Sequence, residues 1–433
     1  MLSGPISAQL EVTERCNYRC PHCYRLDEQT ISQTPTELPD DQLLTLANKL
    51  IDSGIMSLIL TGGEPLVRKD IVLELVRLAS QRNVHCSMNT NMALMSETYL
   101  ADLISAGIGN LLISCPSADP ATYRLMTARG NLKRFWGKLD LVLASNIRYT
   151  INMVVNKTNL HQVTSTAQTL AQRGVDSFSA TPAGFNPNAP DKESFLTSDE
   201  VTKLIDELVL IHENVGIKVD IMEALPKCVF SQKARDSKLS FLRRQCQAGR
   251  SVISVSPTGE VRPCSHNPDS YGNLNHEDLA TVWSSMAIWR SHSMVPVICT
   301  ECKMIAKCLG GCRINAKVAN NQLSDPDPLC TGPVDFFESR PHNQIVIGQN
   351  TVIRCPRKLR WRHEGDGAYL IFGDNPHSTT CVSQELYEFV IALRQHPIWR
   401  FQEIIDSFEI EDSVQLQGIL QRLVSRQVLS IGK

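Results

Sequence analysis

Between Cys16 and Tyr24 the chain reads Cys-Asn-Tyr-Arg-Cys-Pro-His-Cys-Tyr, which places three thiols at C-x3-C-x2-C spacing in one short loop. Iron–sulfur cubes ordinarily take four cysteine ligands. Three thiolates therefore grip three irons of a 4Fe-4S cube and leave the fourth open to a substrate or cofactor, with Tyr18 and Tyr24 flanking the loop. A zinc knuckle that recruits His22 is the competing reading. Zinc, however, gives no reason for Thr61-Gly62-Gly63-Glu64-Pro65, the glycine turn that follows the second strand-like run.

The chain has 433 residues, 42% of them hydrophobic, which is enough for a sizeable core and two or three domains. With 43 basic and 45 acidic residues the net charge is -2, so neither nucleic acid nor an anionic membrane is an expected partner. Met1 to Gln9 has no charged-then-apolar signal pattern and no run of about 18 apolar residues occurs, so the expected compartment is the cytoplasm. In such a compartment fifteen cysteines with tight local spacing speak for metal binding rather than disulfides.

Strand-period runs begin at Ile6, Ala8, Leu10 and Val12 and recur at 56–60, 84–90, 110–114, 149–155 and 176–181, with helical patterns such as 39–51 and 160–173 between them. Six βα units predict an α/β fold, a partial (β/α)6 TIM-type barrel over residues 1–222. In that architecture the strand C-termini carry the site. The cysteine loop, Gly62 to Glu64, Asn89, Asn91, Ser114 and Asn152 all fall there. Past Ser198 come a helix, a strand near 217–221 and a Cys-rich region, 223–335. A Gly- and Pro-containing linker, 331–349, leads to a small unit, 345–433, with strand patterns at 352–363 and 369–372 and then three helical patterns.

The cysteine loop and the Gly62-Gly63-Glu64-Pro65 segment resemble those of radical SAM enzymes. The resemblance implies that Cys16, Cys20 and Cys23 hold a 4Fe-4S cluster whose open iron chelates S-adenosylmethionine. It further implies that Gly62 and Gly63 contact the methionine amine, Glu64 pairs with an ammonium, Ser114 meets the ribose or carboxylate, and Asn91 or Asn152 meets other polar atoms. The family often has an Asp two residues after that Ser, where this chain reads Ser114-Cys115-Pro116-Ser117. In the second region, Cys246-x12-Gly259-x4-Cys264 followed by Cys299-x2-Cys302-x5-Cys308-x3-Cys312-x17-Cys330 resembles the SPASM extension of peptide-modifying relatives. That likeness implies an outer auxiliary cluster on Cys299, Cys302, Cys308 and Cys330 and an inner one on Cys246, Cys264 and Cys312, with Cys228 as the inner fourth ligand, hence three 4Fe-4S clusters. A zinc ribbon is the alternative there. Of the remaining cysteines, Cys86 and Cys381 suit buried apolar positions, Cys355 carries no assignment, and Cys115 ends a strand beside the expected cavity.

The final unit is similar to PqqD-like, winged-helix recognition elements, which bind a precursor peptide's leader as an added strand. The stretch Lys358 to Arg362 is the expected exposed edge. Together these likenesses imply a radical SAM/SPASM maturase of a ribosomally made peptide. An electron donor such as flavodoxin or ferredoxin reduces the first cluster, a 5′-deoxyadenosyl radical abstracts hydrogen, an auxiliary cluster accepts an electron, and a crosslink or other two-electron oxidation results. Two alternatives are a sulfatase-maturating type of enzyme that makes formylglycine and a redox-sensing DNA-binding regulator. The near-neutral charge argues against the regulator.

Overall fold

In the computed structural model residues 2–24, 37–185, 192–336, 345–356, 358–373 and 379–432 are described. The expected linker is therefore seen only in part, because 337–344 lies outside these residues.

Strands β1 (Ser7–Thr13), β2 (Ser57–Gly62), β3 (His85–Thr90), β4 (Asn110–Ser114), β5 (Arg148–Val155), β6 (Ser177–Pro182) and β7 (Lys218–Asp220) pair in parallel in chain order. The strand expected near 217–221, past the six-unit pattern, is thus the seventh member of the same sheet. On the other side, β8 (Val252–Val255) pairs in parallel with β1, and β9 (Val261–Arg262) pairs antiparallel with β8. The Cys-rich region therefore starts as an extension of the sheet.

Connecting helices form where the apolar period is 3.6. The helix Asp40–Asp52 buries Leu43, Leu46, Ala47, Leu50 and Ile51 along one stripe, with two acids in its first turn favoured by the helix dipole. The helix Glu97–Ala106 is capped by the Ser96 side chain and stops at Gly107, whose φ of 98° suits a residue without Cβ. On the strands, Ala8, Leu10 and Val12 are fully buried in the apolar core, while the intervening positions are polar. Strand register aligns Ser114, Asn152, Ser179 and Asp220 in one row across β4 to β7. Side chains of register partners share a face, so one end of the sheet carries a polar strip. Buried Glu11 accepts from Arg262 and from Ser254, joining β1 to β9 and β8.

The tail is two small sheets with three helices, Gln384–Leu393, Phe401–Ser407 and Ser413–Ser425. The alternating run expected over 352–363 breaks after its first strand, where Pro356 lacks an N–H for a ladder. Consequently β10 (Val352–Arg354) pairs with β14 (Ile398–Arg400) and β15 (Ser430–Ile431), while β11 (Arg360–Gly365), β12 (Ala368–Phe372) and β13 (Thr379–Ser383) form a separate antiparallel sheet. One face of that second sheet is docked on the N-terminal end of the parallel strands. Arg360 donates to the carbonyls of Ile51, Ile55 and Arg82, and Arg362 to those of Gly4, Pro5 and Gly54. Leu370 and Phe372 pack with Met56, Leu2 and Ile6. The basic side chains of the stretch expected to face a peptide are therefore turned onto the parallel-sheet domain. The opposite face carries Trp361, His363 and Tyr369 around Tyr387. Among the described residues no helix is long and apolar enough to cross a membrane.

Hydrogen bonds from a charged donor contribute about 1.5–3 kcal/mol each, and Arg360 and Arg362 make six between them. The double variant Arg360→Ala/Arg362→Ala should detach the tail while its helices persist. Small-angle scattering would then report a larger radius of gyration and limited proteolysis faster release of the tail. An unchanged profile would show the docking to depend on the apolar contact alone.

Candidate functional site

The cysteine loop leaves β1 at Thr13 and is held at its root by the glycine turn that ends β2. Gly63 N–H donates to the Thr13 carbonyl at 2.7 Å and Glu64 N–H to the Arg15 carbonyl at 2.9 Å. A Cβ on Gly62 would lie 2.3 Å from the Thr13 oxygen, and one on Gly63 2.2 Å from the Arg15 oxygen. Gly62 also has a φ of 130°. Both positions therefore require glycine for close approach to the loop's backbone, a reason separate from ligand contact.

Glu64 is 1% exposed and accepts from Thr90 Oγ1 at 2.6 Å, Asn91 N–H at 2.8 Å and Leu66 N–H at 3.1 Å. Burial outweighs these bonds and pushes its carboxyl up to about 7. These bonds tie the end of β2 to the end of β3. Asn91 extends the tie, because its Nδ2 donates to Asn17 Oδ1 at 2.8 Å and lies 3.9 Å from Cys16 Sγ. Asn152 Oδ1 accepts from Thr181 at 2.9 Å, while Ser114 is exposed at the end of β4.

Within the loop, Tyr18 N–H donates to Cys16 Sγ at 3.4 Å and Cys23 N–H to the Cys20 carbonyl at 3.1 Å. Desolvation pushes the Cys16 thiol up to about 11 and Cys20 higher still. Bare thiolates at Cys16 and Cys20 are thus disfavoured, and the loop's donor set suits a cationic iron centre that stabilises its thiolates together. Among the described residues no group of three or more His, Cys, Asp or Glu side chains converges as a single ion requires, whereas a cube takes each thiolate on a separate iron. His22 is held neutral, pushed down to about 4 by burial, and its Nδ1 lacks a partner among the described residues.

The second cysteine region divides into two groups. Cys246 and Cys264 lie near enough to Cys312 to raise its pKa, and burial, with Cys246 beside it, pushes Cys264 up to about 12. Cys299 stands 3.9 Å from Cys330, Cys302 accepts from Val334 N–H at 3.4 Å, and Cys308 accepts from Lys227 N–H at 3.3 Å. Cys228, expected with the inner group, sits instead with the outer one, 3.8 Å from Cys330 and accepting from Thr331 N–H at 3.2 Å. The reason is the short 3-10 turn Lys227–Val229, which the Lys227 bond to Cys308 pins to the outer loops. The contact with Cys330 lowers Cys228 below the ordinary thiol range.

Three buried charged residues organise these loops, and none of them was assigned a role from the sequence. Asp327 accepts from Cys312 N–H at 2.6 Å and Leu329 N–H at 2.9 Å, linking the inner group to the loop before Cys330. Arg313 donates to the carbonyls of Met294, Leu323 and Asp325. Lys227 Nζ donates to the carbonyls of Leu242 and Arg244. Tyr24 meets His266, two residues past Cys264, with ring centroids 4.3 Å apart, so the first cysteine loop touches the inner group's loop. Of the unassigned cysteines, Cys86, Cys115 and Cys355 are buried, Cys115 facing the core rather than the site, while Cys381 is exposed on β13 instead of buried.

Residues 10–170 match the radical SAM superfamily and residues 246–309 the SPASM iron–sulfur cluster-binding domain. Curated relatives include a PqqA peptide cyclase of Bradyrhizobium diazoefficiens, 25% identical over 75% of this chain and 86% of its own length. An AdoMet-dependent heme synthase of Methanosarcina barkeri is 24% identical over 76% of this chain and 97% of its own. Among solved structures, Streptococcus suis SuiB bound to its precursor peptide SuiA superposes with a TM-score of 0.62 at 15% identity, covering 76% of this chain and 77% of that one. The enzyme anSMEcpe with bound AdoMet gives 0.61 at 17%, covering 75% and 90%. These two likenesses speak to the fold.

Gly63→Ala should displace the cysteine loop, because its Cβ would meet main-chain oxygen rather than a movable side chain. The expected result is less iron and sulfide per chain in a protein whose circular dichroism is unchanged; full iron content would refute the close-approach argument. Glu64 gives a pH effect. Its folded pKa is raised above the ordinary carboxyl value, so stability is fully present below pH 4.5 and declines as pH rises toward about 7. The loss is on the order of 3 kcal/mol. Denaturant titrations of the cluster-free protein from pH 4 to 8 should show this slope, and Glu64→Gln should flatten it.

Proposed function

We propose, on the premise that the chain is a radical SAM enzyme carrying a SPASM iron–sulfur domain, that it oxidatively modifies a ribosomally made precursor peptide by crosslinking side chains. The peptide-cyclase relatives support this substrate class. The observation that carries the reading is geometric: three loop thiols stand at the C-terminal end of a parallel sheet, and eight more cysteines stand in two groups beyond the Tyr24–His266 contact.

When bound at Cys16, Cys20 and Cys23, a 4Fe-4S cluster with S-adenosylmethionine supplies a 5′-deoxyadenosyl radical. The chain's own residues hold and shield that chemistry. Gly62 and Gly63 offer main chain to the methionine amine while Glu64 and Asn91 fix the loop around it. Ser114 and Asn152, at neighbouring strand ends, offer polar atoms to the rest of the cofactor. Cys299, Cys302, Cys308 and Cys330 hold the outer auxiliary cluster and Cys246, Cys264 and Cys312 the inner one, three clusters in all. Cys228 serves as the fourth ligand of the inner cluster in this reading, since the outer cube already has four cysteines, although its thiol stands 3.8 Å from Cys330.

In this reading residues 1–222 work as a partial (β/α)6 barrel, 223–335 as the auxiliary cluster domain and 345–433 as a PqqD-like, winged-helix unit that binds the peptide's leader. Flavodoxin or ferredoxin serves as electron donor. The edge of β11, at the stretch Lys358 to Arg362, is the place for an added strand, which pairs with its backbone while the Arg360 and Arg362 side chains fasten the sheet's face to the parallel-sheet domain.

Two variants divide the roles. Cys20→Ala should abolish cleavage of S-adenosylmethionine, while Cys308→Ala should still release 5′-deoxyadenosine and yield no modified peptide, both read by liquid chromatography and mass spectrometry. Equal loss of cleavage in a folded Cys308 variant would end that division. A formylglycine product in place of a crosslink would move the assignment to sulfatase maturation.

A further inference from the structure

Tyr123 belongs to the helix Pro120–Thr127, in the connection after β4, and is fully buried. The last carbonyl of that helix fastens it to the first cysteine loop, because Arg19 N–H donates to the Thr127 oxygen at 3.2 Å. The ring has little freedom. Phe135, from the helix Leu132–Leu143, packs against it with centroids 5.7 Å apart. Gly130 makes room for it, since a Cβ there would lie 2.6 Å from Tyr123 Cε1. Burial, and then the nearby Tyr18, Cys115 and Cys20, push the phenol well above its ordinary range, so these three groups are its polar surroundings. None of them meets the phenol oxygen in hydrogen-bond geometry, and among the described residues Tyr123 Oη has no partner. A buried hydroxyl left in this way is costly and calls for an acceptor.

We infer that Tyr123 donates its phenol O–H to sulfur of the iron–sulfur cluster held by Cys16, Cys20 and Cys23, and that this bond raises the cluster's reduction potential. The inference rests on the reading of that loop as a cluster site and is independent of which peptide is modified. A cube brings sulfide and thiolate sulfur, all of them acceptors, to the loop that Tyr123 adjoins. Reduction adds one negative charge, so a donor to sulfur stabilises the reduced form more than the oxidised one. Hydrogen bonds to the sulfurs are among the factors that set cluster potentials. The tyrosine keeps its proton throughout. Tyr18 N–H and Asn91 Nδ2 approach the Cys16 sulfur, whereas Tyr123 approaches from the side of Cys20. The rigid setting of the ring between Phe135 and Gly130 holds the donor in place before the cluster is bound.

The test is a potentiometric titration of the full-length, cluster-loaded enzyme, followed by electron paramagnetic resonance in the signal that changes when S-adenosylmethionine is added. Tyr123→Phe should retain full iron content and lower the midpoint potential. The reduced-to-oxidised ratio at a fixed potential should fall about tenfold, which is about 59 mV for a one-electron couple. A 3-fluorotyrosine at position 123, a stronger donor, should move the potential the other way. Pulsed resonance of the reduced enzyme in heavy water should show one exchangeable proton fewer in Tyr123→Phe than in the parent. In the cluster-free protein the same substitution should leave stability to denaturant unchanged or raised, since the hydroxyl there has no acceptor to lose. A loss of stability there would mean that the phenol is satisfied within the protein, and overturns the inference. So does an unchanged potential in Tyr123→Phe, or an equal shift in Phe135→Leu, which would mark packing as the cause. Should Tyr123→Phe fail to load iron, the fluorotyrosine enzyme decides, and a potential equal to the parent's overturns the inference. The readings fail separately. A parent enzyme without any iron signal sensitive to S-adenosylmethionine removes the cluster site and the role of Tyr123 together, whereas failure to modify any precursor peptide removes the maturase assignment and leaves the shift in potential standing.

Discussion

The main-chain contact of Gly62 and Gly63 with Thr13 and Arg15 is the constraint on which the rest of the site depends. A loop carrying three thiols has little apolar surface with which to hold itself in place, and its carbonyls leave the sheet ladder where β1 ends. The glycine turn continues that ladder two residues further, with bonds of 2.7 and 2.9 Å. Glu64 then carries the connection sideways to Thr90 and Asn91. The ends of three adjacent strands become one rigid rim. That rigidity has a cost, since a carboxyl buried there is held at a raised pKa, and burial of a charged group is tolerated only where donors surround it.

The second cysteine region meets the same problem with less regular structure. Its strands are short and its cysteine loops are mostly irregular. Order comes from long side chains that reach several carbonyls at once, such as Arg313, which gathers Met294, Leu323 and Asp325, and Lys227, which spans Leu242 and Arg244. Removing one such donor orphans several buried acceptors, a penalty of about 1–3 kcal/mol for each. The region joins the sheet through β8 and through the buried Glu11–Arg262 pair. The geometry of both cysteine groups is therefore referred to β1, the strand that also carries the first loop.

Much of this could be read from residue order because its causes are local. The three-thiol loop, the glycine turn and the helical stripes each lie within a dozen residues, and spacing alone reports them. The position of Cys228 could not be read in this way. Its neighbour in sequence among the cysteines is Cys246, but the turn Lys227–Val229 places it against Cys330, across 102 residues of chain. The bonds of Glu64 were hidden in the same way, because its partners Thr90 and Asn91 come from the end of β3 and not from its own turn. The run near 217–221 announces a strand, but only its pairing with β6 makes Lys218–Asp220 a member of the parallel sheet.

The tail shows where alternation informs and where it misleads. Trp361 and His363 set against Arg360 and Arg362 announce a strand with two chemically distinct faces. Alternation carries no information about which face meets water, and a basic face reads by default as solvated. Here the arginines are the buried fastening, because a guanidinium can satisfy three carbonyls left open at helix ends and strand starts, acceptors that no apolar side chain could satisfy. The aromatic face packs on the tail's own helices, with Ile371 fully buried and Tyr369 stacked on Tyr387 at 4.1 Å, while Trp361 at its margin stays 46% exposed. The end of the fold remote from the cysteine loop is thus shaped by unsatisfied backbone acceptors, as is the rim at the opposite end. In both places a polar side chain or a close backbone approach supplies the bonds that a strand loses where it stops.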